Sequence, residues 1–130
     1  MYKRTITYEN FEGQEIKEDF YFNLSKAEMM EMELKEAGGM SRKLQTIVDS
    51  KDSPAIIAMF KELIMLSYGE KSPDGRRFIK SPELSKEFSE TNAYSDFYML
   101  LAMDAEVATE FINSIIPQMP DNKSRIPAPA

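Results

Sequence analysis

Tyr2-Lys-Arg-Thr-Ile-Thr-Tyr8 and, after a short polar break, Ile16-Lys-Glu-Asp-Phe-Tyr-Phe22 decide the fold class. Tyr2, Arg4, Ile6 and Tyr8 share one parity. Ile16, Glu18, Phe20 and Phe22 share another, with Tyr21 on the opposite face. A period of two is the pattern of a half-buried strand. Residues 9–14 between the two runs read as a turn around Gly13, so the chain opens on an antiparallel β-hairpin. A lone hairpin is barely stable in water, so it must pack on the rest of its chain or on another chain. The remainder of the chain, up to residue 116, is patterned mainly as helix. The expectation is an α+β fold, with the hairpin packed on a mainly α-helical body of five or six helices.

Ser25 and Glu28 form a capping box at the start of the first helix, hydroxyl and carboxylate each satisfying an orphan amide. Met30, Leu34 and Ala37 come next at helical spacing, with Met29 alongside, and Gly38-Gly39 ends the run. A second helix over 41–49 places Leu44, Ile47 and Val48 on one stripe. The strongest helical pattern is 54–68. Ser53 can cap it, and Pro54 suits its first position, where no N–H partner is needed. Ile57, Phe60 and Ile64 make its stripe, and Ile56, Met59, Leu63 and Leu66 widen it until little polar surface remains. Such a helix belongs in the centre of a fold or turns part of itself toward another protein.

Gly69 is expected to close that helix. Residues 70–81 then read as a connection around the turn Pro73-Asp74-Gly75, with Phe78 and Ile79 pinning its far end. Ser81-Pro82 starts a short helix with Leu84 and Phe88. Thr91 or Asn92 starts the next, carrying Tyr94, Phe97, Tyr98 and Leu101. Asp104 caps a last helix with Val107, Phe111, Ile115 and Ile116, unless these two are one bent helix. Pro117 stops the pattern. Residues 1–116 are expected to form one domain, and 117–130, with four prolines, a flexible tail.

Composition removes many functions. The 130 residues include no cysteine and no histidine. That excludes disulfides, thiolate chemistry, the usual neutral-pH base and the commonest zinc ligand. The five glycines, at 13, 38, 39, 69 and 75, make no phosphate loop or dinucleotide fingerprint. Acid pairs such as Asp104 with Glu106 or Glu106 with Glu110 read as solvated helix faces rather than a catalytic dyad. No catalytic residue, metal ligand, cofactor or small-molecule substrate is expected. No apolar run is long enough to cross a bilayer, and polar residues succeed Met1-Tyr2-Lys3-Arg4 where a signal peptide needs an apolar stretch. The expected location is the cytoplasm.

The charge is uneven. The net charge is −6, yet Lys71, Arg76, Arg77 and Lys80 stand against Asp74 alone in 71–81. Residues 82–116 carry Lys86 against seven acids. The basic stretch supports an alternative, a regulatory nucleic-acid-binding module using the 71–81 loop, although the overall sign disfavours a nucleic-acid partner. Ten methionines include Met29, Met30 and Met32 in the first helix, Met59 and Met65 in the third, and Met99 and Met103 in the fifth. Methionine fills ordinary cores and equally suits surfaces that accommodate several partners.

Several stretches taken together carry a resemblance. They are Lys3-Arg-Thr-Ile-Thr-Tyr8, Glu18-Asp-Phe-Tyr-Phe-Asn-Leu-Ser-Lys-Ala-Glu28 and Phe60-Lys-Glu-Leu-Ile64. The others are Ser67-Tyr-Gly-Glu-Lys-Ser-Pro-Asp-Gly-Arg-Arg-Phe-Ile-Lys80 and Ala108-Thr-Glu-Phe-Ile-Asn113. Over residues 3–116 the chain resembles the tail assembly chaperones of long-tailed, siphovirus-like phages and prophages of Gram-positive bacteria. The resemblance implies a non-enzymatic protein that binds the tape measure protein and helps recruit tail tube subunits, which displace it. It implies action in the cytoplasm of the infected host and absence from the mature virion. In that family a longer form is often made by ribosomal frameshifting near the end of the shorter frame. The expected partner-binding surfaces are Met29, Met30 and Leu34 on the first helix, Ile56, Met59 and Leu63 on the 54–66 helix, and Arg76 and Arg77 in the basic loop. Self-association into small oligomers fits the breadth of the apolar surface on the 54–66 helix.

Overall fold

The computed structural model describes residues 1–35, 39, 42, 43, 46, 49 and 53–116. Strands β1 (Tyr2–Glu9) and β2 (Glu15–Phe22) pair antiparallel along their length, Tyr2 opposite Phe22 and Tyr8 opposite Ile16. The parities are those of the sequence pattern. Tyr2, Ile6, Phe20 and Phe22 are buried, while Lys3, Thr5, Lys17 and Asp19 face solvent. Asn10 builds the turn: its Oδ1 accepts from the N–H groups of Glu12 and Gln14, both at 2.9 Å. Gly13 sits at φ 79, in the left-handed region that glycine enters without steric cost.

Helix α1 (Lys26–Lys35) starts on the capping box. Ser25 Oγ accepts from the Glu28 N–H at 3.1 Å, and Glu28 Oε1 accepts from the Ser25 N–H at 2.8 Å. Its rotation differs from the expected one. Met29 is buried and Met32 half-buried, whereas Met30 and Leu34 are exposed. The helix is too polar for its own stripe to set its orientation; Glu28, bonded to a lysine from a distant segment, turns the 28–29–32 side inward. Ala37, Gly38, the stripe of Leu44, Ile47 and Val48, and the 117–130 tail lie outside the described residues. Of the expected second helix, positions 42, 43, 46 and 49 are helical.

Helix α2 (Ser53–Ser67) turns Met59, Phe60, Leu63 and Ile64 into the core. Gly69 does not close it. The helix ends at Ser67, whose hydroxyl donates to the Leu63 carbonyl at 2.6 Å. The next residue begins strand β3 (Tyr68–Lys71), antiparallel to β2, with Tyr68 opposite Phe22 and Gly69 opposite Tyr21. Strand β4 (Phe78–Ile79) pairs with β3. The expected connection is therefore a second hairpin, and the sheet has four strands in the order β1-β2-β3-β4. Strands of four and two residues are too short to show a period of two; β2 pairs with β3 and β3 in turn with β4, pairings that their own sequence does not announce.

Helices α3 (Pro82–Ser89), α4 (Asn92–Met103) and α5 (Ala105–Ile115) complete the chain's described part. Ser81 caps α3 and Thr91, not Asn92, caps α4. Asn92 instead donates through Nδ2 to the Glu9 carbonyl at 2.8 Å, tying the end of β1 to α4. Asp104 has extended backbone (φ −126, ψ 102) and its Oδ1 accepts from Glu106 and Val107. The last two helices are thus separate. The helices cover the inner face of the hairpin that belongs to the same chain. Phe22 joins the rings of Tyr2, Phe97 and Phe111 to those of Tyr68, Phe88 and Phe20, with Tyr68 stacked on Phe88 at 4.3 Å. Burial, with Glu70 and Glu18 adding like charge, pushes the Tyr68 phenol up to about 12.

Candidate partner-binding surface

The break at Asp104 leaves a corner between α4 and α5, and small side chains at Ala102, Ala105, Ala108 and Thr109 keep that corner open. The N-terminal half of α2 lies across it. The result is a groove of about 350 Å³, floored by Met59, Phe60, Leu101 and Ala108 and walled by Ile56, Met103 and Ile112. Thr109 brings the only side-chain oxygen among its lining residues. An enclosed apolar cavity of about 150 Å³ takes a benzene ring, so this volume suits about two large side chains. Met103, at the end of α4, is 78% exposed and stands at the groove's mouth.

A second region surrounds Lys80. Its ammonium has three N–H groups and uses them all: it donates to the Asn23 carbonyl at 2.8 Å, the Leu66 carbonyl at 3.2 Å and Glu28 Oε1 at 2.6 Å. One side chain thereby joins the end of β2, the start of α1 and the last turn of α2, where a cation also complements the helix dipole. Burial pushes the Glu28 carboxyl up. The hydrogen bonds from Lys80 and the Ser25 N–H, with the lysine charge, outweigh that and hold it below its ordinary value. Depressions of about 450 Å³ and 170 Å³ both include Glu28 and Leu66. Met30 and Leu34 lie outward on α1.

Replacing Lys80 with methionine is expected to cost about 1–2 kcal/mol in urea unfolding at neutral pH. That is less than for a fully buried pair, because the Glu28 side chain is 37% exposed. The pair also sets a pH dependence. With the folded pKa of Glu28 below the ordinary 4.5, the unfolded chain takes up this proton first on acidification. The pair's contribution is complete above about pH 4.5 and is lost as pH falls through the lowered folded value. In Lys80→Met the acid limb of the stability–pH curve should flatten; an unchanged limb would refute this role.

The basic loop is a tight, ordered turn. Ser72 donates its N–H to the Arg77 carbonyl at 2.9 Å, and Asp74 Oδ1 accepts from the Ser72 hydroxyl at 2.6 Å and the Arg76 N–H at 3.0 Å. These bonds hold the Asp74 carboxyl below its usual range. Arg76 and Arg77 are exposed at the tip. Lys71 instead lies over the Tyr21 ring, 4.5 Å from its centroid, and Lys80 is committed to Glu28. Of the four bases behind the nucleic-acid alternative, only the two arginines stand at the tip.

The structure places the expected contact residues unevenly. Ile56 and Met59 line the groove, Met59 at its buried floor. Met29 and Leu63 are core residues, 3% and 2% exposed. Met30, Leu34, Arg76 and Arg77 are exposed but line no part of the groove. The α4–α5 wall was missing from the expected surface. Met103 stands singly before the capping Asp104, and the small residues at 105, 108 and 109 form no apolar stripe, so nothing in the sequence marks this wall as a surface. Among the described residues no cluster of acids could hold a metal ion, and no helix is long and apolar enough to cross a membrane.

A family model described as phage tail assembly chaperone matches residues 1–125. The chain belongs to that family. No curated protein and no solved structure gives a significant match. For a tail assembly chaperone the partners are proteins of the tail under construction, and an open apolar groove is the kind of feature through which a protein partner is held.

Proposed function

We propose that this chaperone is non-enzymatic and binds the tape measure protein before tail polymerisation, keeping its apolar helical surface from aggregating until tail tube subunits displace it. Ile56, Met59 and Met103 supply the main contact, with Met30 and Leu34 as a second one. Burial of client side chains provides the affinity, and the net charge of −6 opposes uncontrolled association. The chaperone acts in the cytoplasm of the infected host and leaves before the virion matures.

The observation that carries this reading is the apolar groove with Met103 exposed at its mouth in a member of the tail assembly chaperone family. Its test is coexpression with the tape measure protein of the same phage. The expected result is a larger soluble fraction of the client and its copurification with the chaperone. A client equally insoluble with and without this chain would sink the proposal.

A further inference from the structure

We propose that the groove between α2 and the α4–α5 corner receives an amphipathic helix whose apolar stripe is flanked by lysine or arginine. The inference rests on the chaperone reading of that groove and specifies the chemistry of the client segment.

The floor fixes the apolar part. The groove's volume of about 350 Å³ suits side chains projecting at helical spacing from one face of a partner helix, the usual anchors of helix-in-groove binding. The exposed thioether of Met103 can adjust to the shape of what enters.

The rim fixes the charge. From Asn92 to Ile115 the chain carries Asp96, Asp104, Glu106 and Glu110 and no lysine or arginine. Glu106 and Glu110 share a shallow depression with Ala105 and Thr109, and the last two also line the groove. One wall of the groove therefore ends in exposed carboxylates. On α2, Lys61 and Glu62 are adjacent and offset each other. A helix with basic flanks meets this rim favourably, and one with acidic flanks is repelled. A second copy of the chain brings its own net charge of −6, and a nucleic acid brings phosphates, so the rim disfavours both.

The test uses the full chain and two labelled synthetic helices of ~18 residues. They share one leucine stripe, and lysines flank it in one and glutamates in the other. Fluorescence anisotropy should show the lysine probe binding about tenfold more tightly at low salt, with the gap closing near about 0.5 M salt. Glu106→Gln combined with Glu110→Gln should weaken the lysine probe about three- to tenfold and leave the glutamate probe unweakened. Thr109→Trp, at an exposed position, should fill the groove and remove binding of both probes. Equal affinity for the two probes, or no response to the double glutamine change, overturns the proposal; that pair decides the matter even if the tryptophan variant fails to fold. The coexpression assay separates the two levels. If the wild-type chain keeps the tape measure protein soluble and the double glutamine variant does so equally well, the charge rule falls and the chaperone reading stands. If the wild-type chain does not protect that client, the chaperone reading falls whatever the probes show.

Discussion

Phe22→Ala is expected to destabilise the protein by about 3–5 kcal/mol, the range for removing a fully buried phenylalanine. The ring is 0% exposed and meets five others: Tyr2 at 6.1 Å, Tyr68 and Phe88 at 5.8 Å, Phe97 at 5.1 Å and Phe111 at 5.6 Å. Those rings come from β1, β3, α3, α4 and α5, so one cavity loosens the contact between the sheet and three helices. A domain of this size has a total stability of about 5–15 kcal/mol. The loss should lower the urea midpoint by about 2 M. Phe11→Ala is the control. Phe11 is 79% exposed in the hairpin turn, and its truncation should change stability by less than about 0.5 kcal/mol. Similar midpoints for the two variants would show that the ring cluster is not the centre of the core.

Gly69→Ala is expected to cost about 2–3 kcal/mol, within the range for forcing extra atoms into a packed site. A Cβ at Gly69 would lie 2.7 Å from Phe78 Cε2, 2.7 Å from Lys80 Cγ and 2.8 Å from the Ile79 carbonyl oxygen. A long side chain can swing away, but a backbone carbonyl in the adjacent strand β4 can move only if the strand moves. Lys80 comes directly after β4, so the displacement should also loosen its bond to Glu28 and lower amide-exchange protection in α1. Gly75→Ala gives the contrast. No atom lies within 4 Å of a Cβ there, and only its φ of +73 opposes the change, at about 1–2 kcal/mol. If Gly69→Ala melts with the wild type, the close approach of β3 to β4 is not a constraint.

Much of the architecture is legible in the residues. The hairpin can be read because eight residues in each strand are enough for alternation to stand out. The cap positions can be read because Ser25, Ser81 and Asp104 act on amides two or three residues away. The second hairpin cannot, because β3 pairs with a strand far back in the chain, both of its strands are short, and its glycine resembles a helix stop. The rotation of α1 is equally hidden. It depends on Lys80, which lies 52 residues from Glu28. Of the groove, Ile56 and Met59 stand out as apolar excess on α2, but the facing wall does not. Ala105, Ala108 and Thr109 leave space rather than fill it, and space has no sequence pattern.

Residue order and composition were enough to establish an α+β protein with a hairpin ahead of its helices and an aromatic and aliphatic core. They were also enough to close cysteine and histidine chemistry to it. These properties come from local periodicity and from side-chain chemistry. It took the folded chain to sort core methionines from surface ones, to make Lys80 a clamp rather than part of a basic patch, and to open an apolar groove at the α4–α5 corner. Those depend on long-range contacts, in which a side chain's role is set by what the fold brings against it.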